Sequence, residues 1–183
     1  MPNNEEEKQK ERVVENVSAL SILQDAQKKP TIENIFNAQQ WKSFPRQTAI
    51  RARLSGNQTI GDMSSTTLSF ATEDFDVLGE FDNTTYTFTP KSSGYFMISA
   101  SVWYTTASVA NKIYDIEVYK GATRILINRQ HGDGVVQVIP HVSGCVELTT
   151  TDAVTVKTYQ NSGANATASS NSEGTFASIF RIC

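Results

Sequence analysis

The sequence contains few side chains of the kinds that perform acid–base or nucleophilic chemistry. His131 and His141 are its only histidines, and no serine stands in the G-x-S-x-G pattern that positions the nucleophile of many hydrolases. A catalytic triad needs a nucleophile, a base and an acid that orients the base. Because no such set is evident around either histidine, we assign no catalytic residue and expect a protein that is not an enzyme.

Two acidic stretches could present oxygen ligands to a cation. Residues 131–134 read HGDG and offer one carboxylate, at Asp133, whereas Asp74 and Asp76 lie beside Glu73. Calcium takes about six to eight oxygen ligands, so HGDG is more simply interpreted as a solvated loop. Zinc-ligand spacings and glycine-rich phosphate loops do not occur in the sequence. We expect no cofactor and assign no metal-binding residue, since calcium is conceivable but unsupported by a specific motif.

Aromatic and cysteine residues are predicted to be structural. Four aromatic residues could stack on sugar rings, but they lie in predicted strands, where a core or interface role is favoured; they are Trp103, Tyr104, Tyr114 and Tyr119. Cys145 also lies in a predicted strand, and Cys183 is the last residue. Two cysteines do not form a disulfide framework. We expect a buried thiol at Cys145 and a free one at Cys183, with an intermolecular disulfide through Cys183 as the alternative.

Composition and charge exclude two classes of protein. The chain has 183 residues, a hydrophobic content of 39% and a formal net charge of −3, which favours one globular domain with an appendage. This charge argues against a nucleic-acid-binding protein, which would need a basic face. The apolar runs are too short to span a membrane, and the charged N-terminus is unlike a secretory signal peptide.

Residues 1–47 are predicted to form an N-terminal arm that is mainly helical or extended. Apolar residues follow a helical spacing, first between Val13 and Leu20 and again between Ile32 and Phe36. So much apolar surface before the main domain indicates a segment that docks on something. The alternative is packing of the arm within its own assembly. The candidate partner-anchoring residues are Val13, Val17, Leu20, Ile32, Ile35, Phe36 and Trp41.

From Thr48 the apolar periodicity becomes that of β-strands. Ile50, Ala52 and Leu54 alternate with polar neighbours, and Phe96, Ile98 and Ala100 share one face of a later strand. Further strands are predicted near 84–89, 113–120, 124–128, 154–158 and 175–182, and 161–174 is predicted to be a flexible exposed loop. At least eight short strands with polar turns predict an all-β sandwich over 48–183.

The spacing of aromatic and turn residues in this region also resembles a known signature. The matching positions are Phe70, Asp76, Phe81, Phe88, Gly94, Phe96, Ile98 and Ala100. This pattern is similar to that of the globular head of complement component one-q, in the tumour-necrosis-factor-like superfamily. The chain departs from it at Ile98 and Ala100, where that family usually carries aromatic residues. The resemblance implies a ten-stranded jelly-roll sandwich of two antiparallel sheets that assembles as a homotrimer.

The resemblance implies recognition or scaffolding rather than catalysis. Without a collagen-like repeat or a signal peptide, we expect a virion surface component, either a bacteriophage capsid decoration protein or a fibre head. Its arm would anchor it to a capsid or stalk protein, and its exposed loops at 105–112, 129–134 and 161–174 would be free for recognition. The alternative is a bacterial cell-surface or spore-coat adhesin with a ligand-binding head, for which cell-surface glycans are candidate partners. A third class is a carbohydrate-active enzyme.

Overall fold

The computed structural model describes residues 47–182, and all regular secondary structure within that range is β. Polar and apolar residues alternate along most of these segments, so one side of each strand can be buried. The strands are β1 Ala49–Arg53, β2 Gln58–Ile60, β3 Thr66–Thr67, β4 Thr72–Asp76, β5 Phe81–Asp82, β6 Thr87–Phe88, β7 Gly94–Ser101, β8 Ile113–Lys120, β9 Thr123–His131, β10 His141–Leu148, β11 Val154–Gln160, β12 Ala166–Ala168 and β13 Phe176–Arg181.

Ten of the strands form two antiparallel sheets. The first sheet has the order β10-β7-β13-β1-β4, and the second has the order β5-β6-β11-β8-β9, with β3 added beside β11. The first and last strands, β1 and β13, are neighbours in the first sheet, where Ile50 lies opposite Ile179. The predicted all-β class and the ten-stranded jelly roll are confirmed. The short strands β2, β3 and β12 are additions to that framework.

The core lies between the inward faces of the two sheets. Phe96 and Ile98 of β7 meet Phe88 and Ile116 of the second sheet, and all four side chains are buried. The rings of Phe88 and Phe96 pack edge to face, with their centroids 5.8 Å apart. Burying a side chain of this size contributes about 1.5–3 kcal/mol relative to its exposure. The face predicted from the alternation along β7 is therefore the face that holds the sheets together.

Asp76 shapes the connection from β4 to β5 through its carboxylate. Oδ1 accepts hydrogen bonds from the amides of Leu78 and Gly79, and Oδ2 accepts one from the amide of Phe81, at 2.8–3.2 Å. Three backbone donors in an irregular stretch thus gain partners. This contact explains why an aspartate suits this position of the sequence pattern.

Residues 161–174 differ from the flexible exposed loop that was predicted. Ala166–Ala168 forms β12, which pairs with β2 so that Ala166 lies opposite Ile60 and Ala168 opposite Gln58. Both alanines are buried. The prediction was wrong because it rested on the lack of large apolar residues. Small side chains allow this backbone to pack closely, and pairing with β2 satisfies its polar groups.

Candidate functional site

The candidate anchoring residues lie outside the part of the chain that the structure describes. This applies to Val13, Val17, Leu20, Ile32, Ile35, Phe36 and Trp41 and to Cys183. Their roles, and the boundary after residue 47, stay predictions. Within residues 47–182, no helix has the length and apolar character needed to cross a membrane.

The HGDG loop between β9 and β10 is closed by its own carboxylate. Asp133 Oδ1 accepts hydrogen bonds from the amides of Val136 at 3.0 Å and Val135 at 2.8 Å. The hydroxyl of Ser108 donates to the same oxygen at 3.1 Å. The amides of Val136 and Val135 are the main cause of a lowered pKa at Asp133, because hydrogen bonds to the charged form favour it. The carboxylate thus holds a turn in shape.

The acidic residues before β5 serve two separate structural contacts. Asp74 pairs with Arg53 at 2.7 Å and with Arg51 at 3.3 Å across the β1–β4 pair. Asp76 instead closes the turn described above. Among residues 47–182, no group of three or more His, Cys, Asp or Glu side chains is placed to hold a metal ion.

Two of the four aromatic residues singled out in the sequence are core residues. Tyr104 and Tyr114 are buried and pack edge to face, with their centroids 5.0 Å apart. The hydroxyl of Tyr104 lies 2.7 Å from Thr158 Oγ1, while burial raises the pKa of Tyr104 well above its ordinary value. This confirms the structural role predicted for Tyr104 and Tyr114, and it leaves neither ring open to stack on a ligand.

The other two aromatic residues are partly exposed and make polar contacts. Trp103 Nε1 donates to Gln137 Oε1 at 2.7 Å. The ring of Tyr119 lies 4.5 Å from the ammonium of Lys157, within reach of a cation–π interaction.

The outward face of the first sheet carries large exposed apolar side chains. Tyr95 and Met97 of β7 and Phe180 of β13 are each exposed by 40% or more, and Met97 lies directly opposite Phe180. We define the apolar face as Phe75, Tyr95, Met97, Phe180 and Ile182. Clustered apolar side chains of this kind mark interaction surfaces. Backbone partners on both sides of β7 and β13 hold their central residues at fixed positions in the sheet.

Cys145 belongs to the same row as Met97 rather than to the core. The thiol is free and exposed, and the residue lies opposite Met97 in the β10–β7 register. The predicted burial of Cys145 is therefore wrong. Val142, Val146 and Leu148 occupy the inward positions of β10, so the odd-numbered residues between them must face outward.

Exposed apolar side chains also line one edge of the sandwich, where the outermost strands of the two sheets come together. β10 ends the first sheet and β9 ends the second. We define the apolar edge as Val135, Val136 and Ile139 in the connection between β9 and β10; all three are exposed, and Val135 reaches 76%. The apolar edge begins directly after the predicted recognition loop 129–134 and shares no residue with it. Sequence analysis did not identify this surface.

The outward face of the second sheet is polar and cross-linked by ion pairs. Arg129 on β9 donates two hydrogen bonds, at 2.9 and 2.8 Å, to the buried carboxylate of Asp115 on β8. Arg124 likewise donates at 2.6 Å to Glu117. The hydrogen bonds and the nearby negative charges raise the pKa of both arginines further. This surface is closed by its own contacts, unlike the apolar face on the opposite side of the sandwich.

Comparison with known proteins connects this geometry to a fold. No family model matches the sequence, and no curated protein matches it. Among solved structures, the match to murine APRIL at pH 5.0 covers 75% of this chain and 100% of the APRIL chain, with 13% sequence identity and a TM-score of 0.59.

Two further structures show the same similarity. The match to Eiger TNF from S. frugiperda covers 75% of this chain and 92% of the Eiger chain, with 8% sequence identity and a TM-score of 0.54. The match to the globular domain of zebrafish complement 1qA covers 74% of this chain and 98% of that domain's chain, with 12% sequence identity and a TM-score of 0.53. The chain therefore has the jelly-roll fold of tumour-necrosis-factor and complement one-q domains.

Proposed function

We propose that this jelly-roll domain is a non-enzymatic recognition head that works as a homotrimer. The observation that carries the proposal is the apolar face. Five large apolar side chains stand on the outer side of a continuous hydrogen-bonded sheet, where a monomer would leave them in water. Burying them against another copy of the chain removes that cost.

The positions of the two apolar surfaces favour a closed ring over a two-fold dimer. The apolar face lies on the first sheet, whereas the apolar edge lies at the β9–β10 side of the sandwich. Contact of the face of one copy with the edge of the next joins two different surfaces. Such a heterologous contact produces a closed ring when the rotations from each copy to the next add up to a full turn. The resemblance to complement one-q heads implies that the ring has three members.

Attachment to a larger particle is the second part of the proposal. The apolar residues of the N-terminal arm would dock on a capsid or stalk protein, and the trimeric head would project from the surface. We propose a virion surface component, either a bacteriophage capsid decoration protein or a fibre head. The arm sequence supports this proposal because its apolar residues follow a helical spacing ahead of the domain. The competing assignment is a bacterial cell-surface or spore-coat adhesin.

Sedimentation of a variant with a charge in the apolar face tests the self-association. Met97→Lys places an ammonium among apolar neighbours, and the side chain points away from the core, so the domain should still fold. We expect the wild-type chain to sediment as a trimer at micromolar concentration and Met97→Lys to sediment as a monomer. Thr155→Lys is the control, because it also introduces a lysine but on the outward side of β11, in the second sheet. This variant should remain trimeric. A monomeric wild-type chain, or a trimeric Met97→Lys variant, contradicts the proposed interface.

The choice between virion and cell surface needs a measurement on particles. Mass spectrometry of purified virions should detect the chain with capsid or tail proteins if the proposal is correct. Recovery of the chain only with cell-envelope or spore-coat proteins would support the adhesin instead.

A further inference from the structure

Strand β10 lies at the corner where the two apolar surfaces meet. It is the outermost strand of the first sheet, and its first residue, His141, follows Ile139 of the apolar edge by two positions. The outward residues of β10 are exposed, while Val142 between them is buried. In a ring closed by contact between face and edge, the corner that the two surfaces share points towards the centre. The three copies of β10 then approach one another there.

His141 is a group on this corner that can change its charge near neutral pH. The chain has two histidines, and histidine is the side chain whose ordinary titration falls between about pH 5 and 8. His141 is exposed, and its Nε2 lies 2.9 Å from Oγ of Ser99 on β7. A hydroxyl oxygen can donate to a neutral imidazole or accept from a protonated one. Protonation therefore adds a charge without removing this contact between the strands.

The aromatic and charged residues beside His141 do not compensate a positive charge. The ring of Phe176 lies next to the imidazole, with centroids 6.5 Å apart, and the guanidinium of Arg51 lies 4.4 Å from the centroid of the same ring. Asp74 is already paired with Arg51 at 3.3 Å and with Arg53 at 2.7 Å. A proton on His141 thus adds positive charge to a surface that carries two arginines for one carboxylate.

The charged groups of the other neighbouring elements are engaged or distant. On β7, the residue opposite His141 is Ser101, which is uncharged. Asp133, in the loop ahead of β10, accepts hydrogen bonds from its own turn, and Arg129 on β9 is bound to a buried carboxylate. Glu147 lies on the same strand, but six residues at about 3.3 Å each place it roughly 20 Å away. That separation exceeds the Debye length of about 8 Å at physiological ionic strength.

We propose that protonation of His141 opens the trimer, so that assembly of the head depends on pH. This regulation rests on the homotrimer proposed above. At neutral pH the three imidazoles are uncharged, and the corner can be buried between the copies. In mildly acidic solution each copy brings a positive charge to the same place. Repulsion between the charges and the loss of their hydration then oppose the contact.

Sedimentation of the full chain over a concentration series at pH 7.5 and pH 5.0 tests the proposal. The concentration at which half of the chains are trimeric should rise about tenfold or more at pH 5.0. His141→Gln keeps an amide donor for Ser99 but cannot become charged, so its midpoint should be the same at both pH values. His141→Lys is charged at both and should behave at pH 7.5 as the wild type does at pH 5.0. His131→Gln is the matched control, because it removes the other histidine, and it should shift like the wild type.

Several results would overturn the role of His141. They are equal midpoints of the wild type at the two pH values, a shift that persists in His141→Gln, a shift that disappears in His131→Gln, and wild-type assembly by His141→Lys at pH 7.5. The wild type, His141→Lys and His131→Gln keep the test valid if His141→Gln does not fold.

Two observations separate this proposal from the others. A wild-type chain that is monomeric at pH 7.5 contradicts the homotrimer itself, whereas a trimer that does not respond to pH contradicts only the role of His141. Far-UV circular dichroism at pH 5.0 should show that the separated chains keep their β structure. Unfolding at that pH would attribute the loss of the trimer to the domain instead of the interface, and would also overturn the proposal.

Discussion

At the residue scale, the loop around Asp133 shows how closely side-chain size and charge are matched to the backbone. A Cβ atom at Gly132 would lie 2.3 Å from the carbonyl oxygen of Val109 and 2.7 Å from Cβ of Ser108. Glycine is thus required at position 132 by a close approach between two loops. The neighbouring carboxylate of Asp133 accepts hydrogen bonds from backbone amides of the same loop. The close approach at Gly132 and these hydrogen bonds therefore hold the loop together.

Gly132→Ala should destabilise the domain. The added methyl group meets backbone atoms that cannot move away alone, and overpacking of this kind costs about 1–3 kcal/mol. Urea unfolding at a fixed protein concentration measures the change. Gly56→Ala is the matched control, because no atom lies within 4 Å of its added Cβ, and it should change the free energy of unfolding by less than about 0.5 kcal/mol. Equal effects of the two substitutions contradict the steric argument.

Asp133 should make part of the stability depend on pH in the acid range. Its pKa is lowered from an ordinary value of 3.8 in the folded protein, so the ionised carboxylate stabilises the fold above that value. The contribution is lost as the pH falls through the folded pKa. The difference in free energy of unfolding between the wild type and Asp133→Asn should therefore shrink between pH 5 and about pH 2. A difference that stays constant over this range would show that the carboxylate's charge is not involved.

At the element scale, the pairing of β8 with β9 combines backbone hydrogen bonds with buried charges. Asp115 is only 1% exposed, and Arg129 covers it from the neighbouring strand. Both carboxylate oxygens receive a donor from the same guanidinium group. This bidentate geometry fixes the register of the two strands as well as satisfying the charge.

Arg129→Leu should destabilise the domain by about 2 kcal/mol, because it leaves a buried carboxylate without its donors. The double variant Asp115→Leu/Arg129→Leu removes both charges and should recover at least half of that loss. Urea unfolding of the wild type, the two single variants and the double variant completes the double-mutant cycle. Additive losses in the double variant would mean that the two side chains do not depend on one another.

At the scale of the whole molecule, the arm and the head are proposed to have separate tasks. The described domain has its own core between two sheets, formed by buried side chains between Ile50 and Ile179. Self-association is assigned to the apolar face and the apolar edge, which both belong to the domain. Attachment is assigned to the arm.

Deletion of residues 1–47 should therefore leave a folded trimer that no longer binds to particles. Sedimentation checks the trimer, and co-sedimentation with stripped virions checks attachment. The full-length chain is the control, and it should bind under the same conditions. Attachment by the truncated chain would locate the docking surface in the head and remove the role proposed for the arm.

Local periodicity was sufficient to predict the fold class from the sequence. Phe96, Ile98 and Ala100 stand at alternate positions, and the geometry of a strand places such residues on one side whatever the rest of the chain does. The same reasoning would have placed Cys145 outside, since Val146 and Leu148 share the opposite side of β10. The resemblance of the aromatic and turn residues to the complement one-q signature then implied the jelly roll among the all-β sandwiches.

Only the tertiary structure decided which distant residues meet. The pair Asp115–Arg129 and the row that joins Cys145, Met97 and Phe180 both depend on how neighbouring strands are aligned. Strand register and sheet order are set by the packing of the whole core, and no short stretch of sequence contains that information. The sequence thus determined which residues face inward along individual strands, whereas tertiary packing determined the surfaces on which the proposed functions rest.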